Sequence, residues 1–237
     1  FAGGKVWFTA EGAKAIARVD PATNRIDWIM GTGQNRTHML YVTADEKRVY
    51  TTNVISGTVS ILEQGAVQPR GPSPQAGMPA PPPPPEAMTW GQTVIPVGKG
   101  DEGFDVSPDG RELWTANAQD GTLSIIDLAT KQVTATLDAK IPASNRLKFS
   151  PDGKLVFISS LRGGELVVYD AVSRKEFKRV PIGHGAAGIL VDPDGGRVFV
   201  SCGPDNYVAV VDIKTLQVIG HIDVGGEPDG LAWAVRQ

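Results

Sequence analysis

The residues best suited to chemistry in this chain are two carboxylates, an imidazole and an amide that recur at wide intervals. Each stands immediately before a short run of small and apolar residues. They are His38, Glu102, Asn145 and Asp229, and Arg146 directly follows the amide. Oxygen and nitrogen donors of these kinds suit a small polar or cationic ligand, or a divalent cation. We predict a ligand-binding site from these five residues and assign no catalytic residue.

Two glycine patterns match the dinucleotide-binding fingerprint, at residues 98–103 and 183–188. That fingerprint binds a pyrophosphate only where its glycines open a helix. Here a Pro-Asp-Gly turn follows each pattern within four to five residues, which leaves room for a strand but not for a helix. We therefore predict connecting loops at both places and no dinucleotide cofactor.

The remaining reactive side chains lack partners at a useful spacing. Cys202 is the single cysteine, and no histidine stands at a defined partner position, so we expect a packing residue rather than a nucleophile. His184 and His221 occupy unrelated positions in the chain's repeat and show no metal-binding spacing. The two histidines are predicted to be ordinary surface or loop residues.

The composition argues against two kinds of partner. The 237 residues contain 23 Lys and Arg against 26 Asp and Glu, a net charge of -3. This balance supplies no broad positive field for nucleic acid or an anionic membrane. No apolar run approaches the roughly 20 residues that a membrane-spanning helix needs.

An internal repeat shows which elements position the candidate residues. The turn Ser-Pro-Asp-Gly at 107–110 recurs at 150–153 and, as Asp-Pro-Asp-Gly, at 192–195, so its aspartate repeats after 43 and then 42 residues. Two β-rich runs follow each turn, and the second ends in an aspartate with Thr or Ser three residues later. That spacing is typical of a tight turn closed by the carboxylate.

Each repeat contains four short strands and no helical periodicity, which is the pattern of a β-propeller blade. The strand that precedes each Pro-Asp-Gly turn is small and apolar, so we assign it to the innermost position. Innermost strands converge on a central channel, and the five candidate residues are predicted to meet at one mouth of it. The equivalent residue of one repeat is Ala187, so packing alone does not require a polar residue there. The alternative is a hydrated channel whose polar residues bind only water and one another.

Two segments carry a family resemblance, SPDGRELWTANAQDGTLSIIDLATKQV and DPDGGRVFVSCGPDNYVAVVDIKTLQVIGHIDVGGEPDG. They resemble the YVTN-repeat, or YncE-like, family of β-propellers, and the resemblance covers nearly the whole chain. It implies a propeller that commonly has seven blades and is often exported to the periplasm. Asn53 and Asn117 match the asparagine of the family motif, where we expect them to close hairpins.

We therefore expect a single all-β domain over residues 1–237, with about five blades of a seven-bladed propeller truncated at its N-terminus. Residues 230–233 are predicted to form another innermost strand. Trp7, Trp114 and Trp233 are expected to pack between blades.

One blade is about 22 residues longer than the period allows, and the excess falls at about 65–90. Nine of the 18 prolines lie between Pro69 and Pro85, so this insert is expected to be polyproline-like or irregular. The alignment places it between the third and fourth strands of its blade, on the face opposite the candidate site. It is either a docking segment for a proline-recognising partner or a tolerated surface insertion.

Three functional hypotheses follow from these observations. The first is a non-catalytic scaffold that binds a small polar ligand or a protein segment at the channel mouth. The second is an enzyme of a kind found on similar propellers, either a metal-dependent lactonase or a subunit resembling quinoprotein amine dehydrogenases. The third, single-stranded nucleic-acid binding, is disfavoured by the negative net charge. The resemblance favours the first hypothesis and a periplasmic or secreted location.

Overall fold

The computed structural model describes residues 1–67 and 87–234. In this part of the chain, 19 strands form five antiparallel sheets, one of three strands and four of four strands. Helix is limited there to two single 3-10 turns, Glu11–Ala13 and Gly203–Asp205. The predicted all-β fold with blade-like sheets is confirmed.

The sheets follow one another in chain order, and we call them blades I to V. Blade I contains β1 (Val6–Ala10), β2 (Ala15–Asp20) and β3 (Arg25–Gly31). Blade II contains β4 (Thr37–Val42), β5 (Arg48–Asn53), β6 (Thr58–Val67) and β7 (Ala87–Pro96). Blade III contains β8 (Asp101–Val106), β9 (Glu112–Asn117), β10 (Thr122–Asp127) and β11 (Gln132–Leu137). Blade IV contains β12 (Ser144–Phe149), β13 (Leu155–Ser160), β14 (Glu165–Asp170) and β15 (Lys175–Pro181). Blade V contains β16 (Ala186–Val191), β17 (Arg197–Cys202), β18 (Tyr207–Asp212) and β19 (Gln217–Asp223).

The repeated turns form as their residue types predict. In blade III, the backbone N–H and the hydroxyl of Thr130 both donate to Asp127 Oδ1, at 2.7 and 2.8 Å, and blades IV and V repeat this arrangement. The glycine that ends each Pro-Asp-Gly turn has a φ of +71°, a conformation that glycine adopts without steric cost. Glu46 takes the same left-handed conformation in the degenerate copy of the turn.

The hydrophobic core lies between successive blades. Each of four buried clusters combines side chains from two neighbouring sheets, as Trp114 of β9 does with Phe149 of β12. Trp7 and Trp114 are both buried, in agreement with their predicted packing role. Trp233 is 47% exposed, although its ring contacts Phe199.

Hydrogen bonds from one blade hold the start of the next inner strand. Thr9 Oγ1 donates to the carbonyl of His38 at 2.6 Å, and Ser159 Oγ donates to that of Ala187 at 2.6 Å. The same contact is made by Thr52 to Glu102 and by Ser201 to Asp229, at 2.8 and 2.7 Å. In each case the hydroxyl donates to the backbone carbonyl of a residue at a predicted mouth position.

Two predictions about segments need correction. Residues 230–233 form no strand, because each inner strand pairs with the next strand of its own sheet and the described chain offers none beyond them. The predicted limits of the insert are also wrong, since β6 and β7 stay paired as far as Val67 and Ala87. Each added pair of residues in a hairpin can form further backbone hydrogen bonds between the two strands, and this favours the longer strands. The rest of the insert, with its predicted docking role, lies outside the described residues.

We predict that Ser159→Ala lowers the free energy of unfolding by about 1–3 kcal/mol. Ser159 is fully buried, and its hydroxyl donates to the Ala187 carbonyl and accepts the Arg146 N–H at 3.0 Å. Removing the hydroxyl leaves a buried donor and a buried acceptor without a partner. Urea denaturation followed by circular dichroism measures the change. Thr23→Ala, at an exposed turn position, is the control and should change the value by less than about 0.5 kcal/mol.

Candidate functional site

The channel mouth is built from the first residues of the inner strands. His38, Glu102 and Arg146 lie at or near the start of β4, β8 and β12, and Asp229 lies in the irregular segment after β19. These three strands begin at the same end of the structure, because side chains from their first residues contact one another there. The repeat therefore brings side chains from distant parts of the sequence to one place.

His38 lies between two carboxylates. Its Nδ1 contacts Glu11 Oε1, and its Nε2 lies 3.4 Å from Glu102 Oε1. The hydrogen bond with Glu102 raises the pKa of His38 above its ordinary value; burial opposes this shift, and the contact with Glu11 adds to it. The imidazolium form is therefore favoured at the mouth.

Glu102 accepts from cations on both sides. Besides facing His38, its Oε1 accepts a hydrogen bond from Arg146 Nη1 at 2.9 Å. Burial by itself would raise the pKa of Glu102, but the hydrogen bonds from His38 and Arg146 outweigh it and lower the pKa to about 2. Glu102 is consequently ionised throughout the physiological range.

The series of opposite charges continues in both directions. Arg36 Nε lies 3.5 Å from Glu11 Oε2, and Arg146 Nη2 lies 3.9 Å from Asp229 Oδ1. Positive and negative groups alternate across the mouth, and we call this set the mouth network: Arg36, Glu11, His38, Glu102, Arg146 and Asp229. The side chain of Asp229 is 66% exposed and that of Glu11 is 41% exposed, so solvent reaches the network at these two carboxylates.

The structure thus joins four of the five predicted site residues and adds two that were not selected. Asn145 is buried beside Arg146, and in the described structure no hydrogen bond joins its side chain to the network. Glu11 and Arg36 were missed because they lie in loops outside the repeat position used to find the others. Glu11 follows β1 in the hairpin loop that faces the mouth, and this loop position was the available signal.

A divalent cation is one of the ligands that these residue types allow, although the sequence predicts no cofactor. Among residues 1–67 and 87–234, no group of three or more His, Cys, Asp or Glu side chains is arranged to hold a metal ion. The carboxylates of the mouth alternate with arginine and histidine cations. A cluster of free oxygen ligands is therefore not formed.

A second carboxyl lies directly behind the mouth. Asp101 precedes Glu102 on β8, is fully buried, and accepts the Asn53 N–H at Oδ2 at 3.3 Å. Its Oδ1 has no partner, and neither does Oδ1 of Asn117, the residue opposite it on β9. In blade II the equivalent pair is joined, because the Thr37 hydroxyl donates to Asn53 Oδ1 at 2.8 Å.

Within the described residues, Asp101 in blade III has no such partner, and its burial favours the protonated carboxyl. Burial raises the pKa of Asp101 to about 8, and the Asn53 N–H offsets only part of that rise. The carboxyl is therefore largely neutral at pH 7. The other side of Asn117 closes its hairpin, as predicted, by donating to Thr122 Oγ1 and Ser124 Oγ at 2.9 and 3.0 Å.

The other candidate residues lie away from the network. His184 pairs with Asp205 at 3.0 Å, and its side chain is 85% exposed. His221 stacks on Tyr207, with 4.2 Å between ring centroids. Cys202 is buried, and burial raises its pKa to about 11, so a nucleophilic thiolate is disfavoured. Both dinucleotide-like patterns run through a loop into an inner strand, β8 or β16, as predicted.

Comparison with protein families and curated proteins agrees with this architecture. Residues 86–201 match the family model described as the cytochrome D1 heme domain. The chain is 29% identical over 108 residues to the protein NirF of Stutzerimonas stutzeri, covering 44% of this chain and 27% of that protein. It is 24% identical over 151 residues to the protein YncE of Salmonella typhi, covering 62% of this chain and 42% of that protein. The chain therefore spans less than half the length of these curated relatives.

Two solved structures share the fold. A protein of unknown function from Desulfotomaculum acetoxidans superposes with a TM-score of 0.75 at 14% identity, covering 96% of this chain and 68% of that one. Hydrazine synthase from Kuenenia stuttgartiensis gives a TM-score of 0.60 at 13% identity, covering 96% and 86%. Repeated antiparallel sheets around a charged mouth define the chain as a β-propeller. In sequence the chain is similar to NirF and YncE, and these matches support a propeller of the YncE-like kind.

We predict that the free energy of unfolding falls between about pH 4 and pH 8 through Asp101, and that Asp101→Asn reduces this fall. The unfolded carboxyl loses its proton near the ordinary value of 3.8, whereas the folded one keeps it until about 8. The contribution of Asp101 to the free energy of unfolding is thus complete below pH 3.8 and is lost as the pH rises to about 8. The expected slope is at most about 1.4 kcal/mol per pH unit.

Urea denaturation at pH 5, 6, 7 and 8 measures this slope for the unmodified protein and the variant. Asp138→Asn, at an exposed carboxyl of blade III, is the control and should leave the profile unchanged. Parallel profiles for the unmodified protein and Asp101→Asn would show that the buried carboxyl is already ionised.

Proposed function

We propose that this protein is a non-catalytic binding propeller whose ligand site is the mouth network. The observation that carries the proposal is the convergence of six charged side chains from separate segments on one mouth. Blade V places Ala187 and Gly188 at the equivalent positions, so the fold does not need charge there. The ligand class is a small polar or cationic molecule, or a protein segment that carries such groups.

Binding fits the chemistry of the mouth better than catalysis does. The carboxylates are held in ion pairs, and the single cysteine is a buried thiol. A metal-dependent lactonase needs several converging ligands, and the described residues contain no such group. The amine dehydrogenase alternative rests on fold alone, and folds of this kind carry many unrelated functions. Nucleic-acid binding lacks support from the net charge of -3.

The name of the matching family model refers to a haem, and the mouth does not fit one. Haem iron takes an axial ligand such as histidine through a free nitrogen lone pair. Both ring nitrogens of His38 face carboxylates, and its raised pKa favours the protonated form. Within the matched range 86–201 the histidine is His184, which is exposed and paired with Asp205. We therefore assign no haem chemistry to this site.

The proposal extends to location and to the proline-rich insert. Family resemblance favours a periplasmic or secreted protein. The insert between β6 and β7 remains a candidate docking segment for a proline-recognising partner.

We expect agmatine, which carries a guanidinium and an amine, to bind at the mouth. Asp229→Asn and Glu102→Gln should each weaken that binding about tenfold or more, because each removes a charged acceptor. Isothermal titration calorimetry at low salt measures the affinity, with calcium, magnesium and succinate as the other probes. Circular dichroism checks that each variant keeps its fold.

Asp223→Asn is the matched control, since this exposed carboxylate ends β19 and lies outside the network. It should leave agmatine affinity within about twofold. The proposal is wrong if none of the four probes binds the unmodified protein. It is equally wrong if Asp223→Asn weakens binding as much as Asp229→Asn does.

A further inference from the structure

We propose that the mouth network binds an organic cation in exchange for the proton on His38, an inference that rests on the proposed function and names its ligand and its regulation. A cationic group of the ligand would pair with the carboxylates that the imidazolium now neutralises. Binding and proton release would then be a single coupled equilibrium.

The position of His38 is the basis of the inference. One ring nitrogen contacts Glu11 of blade I and the other faces Glu102 of blade III, while the histidine itself belongs to blade II. A protonated ring can donate to both carboxylates, but a neutral ring can donate to only one. The two-sided contact therefore favours the protonated ring, whose proton the proposed ligand would displace.

The charged groups that face His38 come from every element around it. Glu11 lies in the turn after β1, Arg36 in the turn before β4, Glu102 on β8 and Arg146 on β12. The two arginines each pair with one of the carboxylates. Arg146 also disfavours the imidazolium, because its charge lowers the pKa of His38. Glu102 and Glu11 nevertheless keep the proton on His38, because their attraction for the imidazolium outweighs the repulsion from Arg146.

The exchange balances in charge. With His38 protonated, the network contains three cations and three carboxylates. Loss of the proton to solvent leaves one negative charge in excess, and a cationic group of the ligand restores the balance. No covalent bond forms or breaks apart from the N–H bond of the imidazolium.

An organic cation fits this site better than a metal ion. Calcium takes six to eight oxygen ligands, whereas the carboxylates here alternate with fixed arginines. A guanidinium or ammonium group needs only one or two carboxylate oxygens, and a guanidinium can bond a carboxylate through two parallel N–H groups. Glu11 and Asp229 are the carboxylates most open to an incoming cation.

The coupling predicts a definite pH dependence. Hydrogen bonding with Glu102, helped by Glu11 and opposed by burial, keeps the pKa of His38 above its ordinary value of 6.5. Below the raised pKa, a cation must displace the proton, so its affinity should increase up to tenfold per pH unit. Above that pKa the ring is already neutral, and affinity should become independent of pH.

Calorimetric titration of agmatine in phosphate and in MOPS buffer tests the exchange. These buffers differ in ionisation enthalpy, so the difference in measured heat gives the number of protons released. At pH 6 we expect a release approaching one proton for the unmodified protein. His38→Gln keeps an amide donor and has no proton to lose, so it should bind agmatine at least as tightly, with no release at any pH.

The matched control is His184→Gln, because that histidine also pairs with a carboxylate but lies outside the network. It should release protons like the unmodified protein. Binding without proton release, or release that persists in His38→Gln, overturns this inference and leaves the proposed function standing. Absence of agmatine binding in both the unmodified protein and His38→Gln overturns this inference, and the proposed function falls with it only if calcium, magnesium and succinate also fail to bind. Binding of succinate in place of agmatine overturns the cationic ligand class.

Discussion

One hydrogen bond both stacks the blades and positions the candidate site. A threonine or serine on one blade donates to a backbone carbonyl at the start of the next inner strand. Ser201 of blade V makes the same contact with Asp229, in the irregular segment after β19. The residue whose carbonyl is held is the same residue whose side chain faces the mouth, as for His38 and Glu102. The contacts that build the core therefore also set the distances within the mouth network.

Close approach of the inner strands imposes the accompanying constraint. A Cβ atom at Gly103 would lie 2.1 Å from the Asn145 carbonyl, and one at Gly188 would lie 2.0 Å from that of Asp229. Glycine is needed at these positions because the neighbouring backbone occupies the space. The positions just before them are free to vary, which explains why Glu102 and Ala187 can occupy equivalent places.

Two adjacent carboxyls on β8 show how the two sides of one strand differ electrostatically. Asp101 points away from the mouth, where burial without a cation raises its pKa to about 8. Glu102 is also buried in part, but His38 and Arg146 lower its pKa to about 2. Successive residues of a strand face opposite sides of the sheet. Asp101 is therefore a largely neutral carboxyl, whereas its neighbour Glu102 is an anion.

The amino-acid sequence by itself determined the repeat, the turns and the position of the inner strands. A period of about 42 residues, together with aspartates and glycines at defined places, specifies local backbone conformation, and local conformation is what residue type controls most directly. The same period identified three of the six residues of the mouth network, His38, Glu102 and Asp229, since equivalent positions in a propeller converge on the axis. It selected Arg146 as the residue that follows the equivalent position, Asn145.

Only the tertiary structure decided which of those side chains meet. It excluded Asn145 from the network and added Glu11 and Arg36, because side-chain contact depends on what neighbouring blades present across the mouth. It also left residues 230–233 outside any sheet, since a strand requires a partner that periodicity alone does not supply. The charge state of Asp101 likewise depends on burial between β8, β9 and β5, and burial is a property of the packed blades.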